Sequence, residues 1–67
     1  MNIPGLSTSG LVMMHGAIKQ ALAVDDNLPP DQNKPYGVRT FADWKQMADA
    51  IEAELRTRSV KFDPAPW

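Results

Sequence analysis

The sequence predicts a mainly α-helical domain, built as an antiparallel two-helix hairpin with a proline-rich connection and an extended aromatic C-terminal tail. Two segments carry apolar residues at the three- and four-residue spacing of a helix, and three prolines separate these segments. A chain of 67 residues forms one small domain. We expect helices at about 9–24 and 41–58, a linker at 25–39 and a tail at 59–67.

The first predicted helix begins after Ser7 or Ser9, either of which is a favoured N-cap residue. Its apolar residues are too numerous for one stripe. One face carries Leu11, Met14, Ala17, Ile18, Ala21 and Leu22, and the other side adds Val12, Met13, Ala23 and Val24. A helix with one covered face normally has a polar opposite side. This helix is therefore either more buried than a hairpin allows, or it meets a second surface.

Gly16 lies within this helix, where glycine costs about 1 kcal/mol relative to alanine. We interpret it as a place where another backbone approaches closely, with the region of Ala48 and Ala50 as the expected neighbour. Asp25 and Asp26 are unfavourable at the negative end of the helix dipole, so we expect the helix to end near them.

The linker at 25–39 contains Pro29, Pro30 and Pro35, which exclude a helix and favour an extended path. Twelve or more residues make a long connection between two helices. We expect the linker to lie across the helix ends, anchored by its larger apolar side chains Leu28, Tyr36 and Val38.

The second helix has the clearest pattern in the chain. Thr40 is the predicted N-cap, and Asp43 stands three residues later, as in a capping box. One stripe is apolar, namely Phe41, Trp44, Met47, Ala48, Ile51 and Leu55, whereas the opposite face carries Asp43, Lys45, Gln46, Asp49, Glu52 and Arg56. Two acid-to-arginine pairs at four-residue spacing, Glu52 with Arg56 and Glu54 with Arg58, favour the helix further.

The tail at 59–67 alternates apolar and polar residues around Val60 and Phe62, as a short strand does. This allows a minimal two-stranded ribbon, formed by Tyr36–Arg39 with Val60–Phe62. Two alternatives remain for Trp67: it folds back onto the core of its own chain, or it fills a pocket on a partner.

Composition excludes several functional classes. Cysteine is absent, so disulfides are excluded, and a single histidine does not supply the usual zinc ligand sets. The net charge is −1 with both signs interspersed, which disfavours nucleic acid as the main partner. No basic leader and no apolar run of membrane-spanning length are present, so we expect a cytoplasmic protein without membrane contact.

We expect no catalytic, cofactor-binding or metal-binding residues, and no small-molecule substrate. His15 is the only side chain with a near-neutral ordinary pKa, and its own helix offers no acid to orient it. The acidic residues Asp25, Asp26 and Asp31 surround the start of the linker, but they lack the glycine and final glutamate of a calcium-binding loop. The sequence therefore does not indicate an enzyme.

The expected function is that of a small protein–protein interaction module: a structural component, an adaptor, or a regulator or inhibitor of a larger protein. The candidate contact residues are Val12, Met13, Val24 and Trp67, with either a protein partner or self-association. The alternative is a nucleic-acid-associated accessory protein that uses Arg56, Arg58 and Lys61, although acidic neighbours weaken that cluster.

Overall fold

A computed structural model describes residues 2–67. It contains a 3₁₀ turn at Ile3–Gly5, helix α1 at Thr8–Asp26 and helix α2 at Ala42–Thr57. The rest of the described chain forms turns and irregular segments, without a β-strand. The prediction of a mainly helical chain with two helices is confirmed.

Helix α1 begins as the sequence indicates but ends later. The Ser7 hydroxyl accepts a hydrogen bond from the Gly10 amide at 3.0 Å, which satisfies one of the free amides of the first turn. At the other end, α1 continues through the two acids that were expected to stop it. Asp25 accepts hydrogen bonds from linker amides and Asp26 pairs with Arg39, so the linker offsets their unfavourable position.

The predicted cap of the second helix is wrong. Helix α2 begins at Ala42 with Phe41 at the N-cap position, and no side chain caps it. The amides of Thr40 and Phe41 both donate to the Gly37 carbonyl at 3.0 Å, so the chain enters α2 through a turn. Gly37 has a φ of 62°, and a Cβ there would lie 2.7 Å from the ring of Phe41. The turn therefore requires glycine.

The core lies between the helices and is completed by the linker and the tail. One buried cluster joins α1 to α2, and a second joins α1 to Val38 of the linker and Ala65 of the tail. Trp44 and Trp67 pack against both clusters. The first cluster consists of Leu11, Ile18, Ala48, Ile51 and Leu55, and the second of Ala21, Leu22, Val38 and Ala65.

Contacts between the ends of the elements show how the helices are arranged. Arg58, which follows α2, donates to the Thr8 hydroxyl and to the Pro4 carbonyl, both at 3.1 Å. Farther along, His15 of α1 meets Glu52 of α2. The start of α1 therefore lies beside the end of α2.

The ribbon between Tyr36–Arg39 and Val60–Phe62 is not formed within residues 2–67. The backbone groups that would pair these segments have other partners. The Val38 amide donates to Asp25 Oδ2 at 3.0 Å, and the Val60 amide donates to the Leu55 carbonyl at 2.9 Å. Each segment is thus tied to the helix before it and not to the other segment.

Neither helix in the described part of the chain combines the length and the apolar content that crossing a bilayer requires.

Candidate protein-interaction surface

The side of α1 that points away from α2 has no charged side chain. We call it the α1 outer face. At 100° per residue its members cover an arc of roughly 140° around the helix. Seven are exposed and Val24 is half-buried. The members of the α1 outer face are Ser9, Val12, Met13, Gly16, Ala17, Gln20, Ala23 and Val24. Ala17 was expected on the core face of the helix, and that expectation is wrong, because its side chain is exposed.

The apolar excess predicted for the first helix therefore lies at the surface. Val12 is 48% exposed and Met13 is 74% exposed. The core side of the same helix is fully covered, since Leu11 and Leu22 have no exposed area. Helix α1 thus has one apolar side against its own core and a second apolar side without cover in the described structure.

Gly16 stands near the middle of the α1 outer face. A Cβ added there would meet nothing within 4 Å. The expectation that Gly16 admits the Ala48 and Ala50 region of α2 is therefore wrong, because Gly16 points away from α2. The glycine instead leaves a shallow, open position between Val12 and Gln20, where a second backbone has room to approach.

The exposed side of α2 is different in character. It carries both acidic and basic side chains, and Lys45 and Asp49 form an ion pair at 3.1 Å. This is the normal surface of a small domain. The absence of charge on the α1 outer face is thus a property of one surface and not of the whole molecule.

Trp67 lies against the core of its own chain, as expected for a tail that folds back. Its ring packs on both buried clusters, and Lys45 Nζ lies 5.9 Å from the ring centroid. Arg39 donates to the carbonyls of Pro66 and Trp67, so the end of the described tail is also held by its backbone. Trp67 therefore has a different role from Val12 and Met13, because its ring covers the core whereas their side chains are exposed.

The basic residues of the nucleic-acid alternative have contacts within the chain. Arg58 bonds Thr8 and Pro4 and lies 3.6 Å from Glu54. Arg56 lies 3.7 Å from Glu52 and stands over the Phe62 ring at 5.3 Å. Lys61 is exposed. The two guanidinium groups are thus paired with acids, as the four-residue spacing predicted, and the three side chains do not form a purely cationic surface.

A buried polar bridge joins both helices to the tail, and the sequence did not reveal it. His15 Nε2 lies 2.8 Å from Glu52 Oε2, and the Ala65 amide donates to the same oxygen at 3.0 Å. His15 is 5% exposed and Glu52 is 7% exposed. We expected Glu52 on the solvated face of its helix, and that expectation is wrong. In the sequence, Glu52 directly follows Ile51 and comes four residues after Ala48, so it lies at the edge of the apolar stripe. This position was the one indication that Glu52 is buried.

The pKa of Glu52 reflects this environment. Burial acts to raise the pKa of the carboxyl group, but the Ala65 amide, His15 and Arg56 together outweigh burial and hold it below its ordinary value. The carboxylate is therefore ionised at neutral pH, and His15 Nε2 carries the hydrogen that they share. The Phe62 ring packs edge-on against the imidazole, with centroids 5.4 Å apart. This closed arrangement suits a structural link better than an active site open to substrate.

Asp25 is a second buried acid, and it organises the linker. It is 3% exposed and accepts from the amides of Tyr36 at 3.3 Å and Val38 at 3.0 Å. The linker anchors have unequal roles, since Val38 is buried, Leu28 is half-buried and Tyr36 is 46% exposed. Among residues 2–67, no three His, Cys, Asp or Glu side chains come together as a metal site would need.

No protein-family model, curated protein or solved structure matches this chain.

Proposed function

We propose that this chain is a small, non-enzymatic protein–protein interaction module that binds its partner through the α1 outer face. The observation that carries the proposal is the exposed, uncharged helix surface around Val12 and Met13. In the proposed arrangement, the antiparallel hairpin acts as the scaffold. Linker and tail cover the inner side of α1 and hold the helix in place, so that its outer side is presented as a rigid surface.

The size of the exposed apolar side chains determines how much free energy a partner gains by covering them. Fully burying a valine or methionine side chain contributes about 1.5–3 kcal/mol. Because Val12 is half exposed and Met13 three-quarters exposed, their burial together contributes about 2–4 kcal/mol. Association itself costs about 4 kcal/mol or more. The partner must therefore also contact the small residues Gly16, Ala17 and Ala23, which favours an apolar helix that approaches the α1 backbone closely.

Trp67 belongs to the scaffold in this proposal. Its indole ring completes both buried clusters, so using it as an anchor on a partner would open the core of this chain. We also propose a cytoplasmic location, which is supported by the absence of cysteine.

The nucleic-acid alternative has less support, because Arg56 and Arg58 are each within 4 Å of a glutamate. A titration of a labelled oligonucleotide at low salt separates the two proposals. Binding that weakens with salt and with Arg58→Gln would favour nucleic acid.

Site-specific photo-crosslinking in the native host tests the interaction module. A photoreactive amino acid replaces Met13 in one variant and Gln46, on the charged side of α2, in the control variant. We expect a discrete crosslinked product from position 13 that Val12→Lys removes, and no such product from position 46. The same diffuse pattern from both positions would contradict the proposal.

A further inference from the structure

We propose that the C-terminal tail at 59–67 detaches reversibly from the hairpin, and that the groove beneath it binds an extended peptide segment of a partner protein in place of the tail. We call this groove the tail groove. It lies on the opposite side of α1 from the α1 outer face, so the inference goes beyond the proposed function. The residues that line the tail groove are Ala21, Leu22, Val38, Arg39, Lys45 and Glu52.

The tail groove holds the tail mainly by its backbone. The Ala65 amide donates to Glu52 Oε2 at 3.0 Å. From the linker side, Arg39 donates to the carbonyls of Trp67 and, at 3.0 Å, of Pro66. Every extended peptide carries such amides and carbonyls, so a segment from another protein can make the same hydrogen bonds.

Two side-chain positions determine which peptides fit. Ala65 is buried in one cluster with Leu22, which favours a small side chain at this place. Two residues later, the Trp67 ring packs on both buried clusters, with Lys45 Nζ 5.9 Å from its centroid. Pro66 between them favours an extended backbone. The fitting ligand is therefore an extended segment in which a small residue and a proline precede a large aromatic residue.

The docked tail has one unfavourable interaction that another ligand avoids. The indole Nε1 of Trp67 is buried and has no hydrogen-bond partner in the described chain. A buried donor without an acceptor is destabilising. A segment that ends in phenylalanine covers the same clusters without this donor. The tail is thus not the best occupant of its own groove, and an incoming ring keeps the core covered when it replaces Trp67.

The joint between α2 and the tail also acts against docking. Ala65 lies beside Glu52 and Trp67 beside Lys45, so the tail runs back along α2 towards its start. The chain reverses at Ser59, whose φ of 59° is in the left-handed region. Glycine is the usual residue at this position after a helix, because a side chain is disfavoured there.

Native-state amide hydrogen exchange of the full chain tests whether the tail detaches. The reporter is the Ala65 amide, and the Leu22 amide in the middle of the core is the reference. We expect a protection factor at Ala65 that is lower by about tenfold or more, because the tail opens while the hairpin stays folded. Equal protection at both positions would show that the tail leaves only on global unfolding, and would overturn the inference.

Pro66→Gly is the variant that changes the open population. The Pro66 side chain is exposed, and the variant keeps the carbonyl that Arg39 contacts. Glycine gives the detached tail more conformational freedom, so the open fraction should rise by about two- to fivefold. Exchange at Ala65 should accelerate by the same factor, without a change at Leu22 beyond that of the global stability.

Fluorescence polarisation with a labelled peptide tests the tail groove itself. The probe has the sequence of residues 61–67, and the control peptide has N-methylalanine at the position of Ala65, which removes the hydrogen that Glu52 accepts. We expect the full chain to bind the probe about tenfold more tightly than the control peptide. Because apparent affinity is proportional to the open fraction, Pro66→Gly should bind the probe more tightly by the factor seen in hydrogen exchange.

Three results would contradict the assignment of the tail groove. Equal binding of probe and control peptide would show nonspecific apolar contact. No binding of the probe by Pro66→Gly, in a protein whose Ala65 amide opens, would show that the groove closes when the tail leaves. Probe binding that weakens as the protein concentration rises would show that the tail of a second copy fills the groove instead of a partner segment.

Discussion

Replacement of Glu52 by alanine should remove much of the stability of this protein. Glu52 Oε2 is the common acceptor for His15 of α1 and for the Ala65 amide of the tail. Both donors are buried, since His15 is 5% exposed and Ala65 is 8% exposed. Glu52→Ala leaves them without an acceptor and puts no group of similar size in the space of the carboxylate.

The magnitude follows from the two donors. An unsatisfied buried donor costs about 1–3 kcal/mol, so the expected loss is about 2–6 kcal/mol, with the lower half applying if water enters beside the tail. A chain of 67 residues has a total stability of about 3–10 kcal/mol, at roughly 0.05–0.15 kcal/mol per residue. The variant should therefore be close to its unfolding transition in water, or beyond it.

Urea unfolding followed by tryptophan fluorescence measures this loss. A slope of about 1 kcal/mol per molar urea, at the low end for small proteins, converts the loss into a midpoint shift of about 2 M or more. Asp49→Ala on the exposed side of α2 is the matched control, because it removes the same charge from a solvated ion pair worth less than about 1 kcal/mol.

The double variant His15→Leu with Glu52→Leu identifies the cause of the loss. Replacing both polar groups by apolar ones of similar size should recover part of the stability lost in Glu52→Ala, because fewer buried groups remain unpaired. If Glu52→Ala unfolds at the same urea concentration as Asp49→Ala, then the polar bridge does not hold the helices and tail together.

Three further predictions concern the acids and the helix start. The folded-state pKa of Glu52 is below its ordinary value. The contribution of Glu52 to the free energy of unfolding is therefore complete above its ordinary pKa, and it is lost as the pH falls through the folded-state pKa. The urea midpoint should therefore fall between about pH 5 and 3, and Glu52→Gln should reduce this dependence. Asp25→Ala leaves the buried Val38 amide unpaired, which should cost about 1–3 kcal/mol; unchanged hydrogen exchange at residues 36–38 would contradict this role. Ser7→Ala removes the cap on Gly10 and should cost about 1 kcal/mol, measured as a lower thermal midpoint without loss of helical circular dichroism.

The sequence by itself determined the helical class, the approximate extent of both helices and most of the core. Residues at a spacing of three and four, such as Leu11, Ile18, Ile51 and Leu55, lie on one side of a helix whatever surrounds it, and all four are buried. The Ser7 cap and the Glu54–Arg58 pair were predictable for the same reason, since their partners lie within four residues. Local spacing carries this information because helix geometry is local.

Only the tertiary structure decided where the buried polar groups go and which side of α1 is left uncovered. Glu52 looks like a surface acid within α2, and its partners His15 and Ala65 stand 37 and 13 residues away. Asp25 likewise acquires its partners only when the linker folds back over the end of α1. The second apolar side of α1 was visible in the sequence. Its exposure depends on the linker and tail packing on the opposite side, and long-range packing of this kind has no periodic signature.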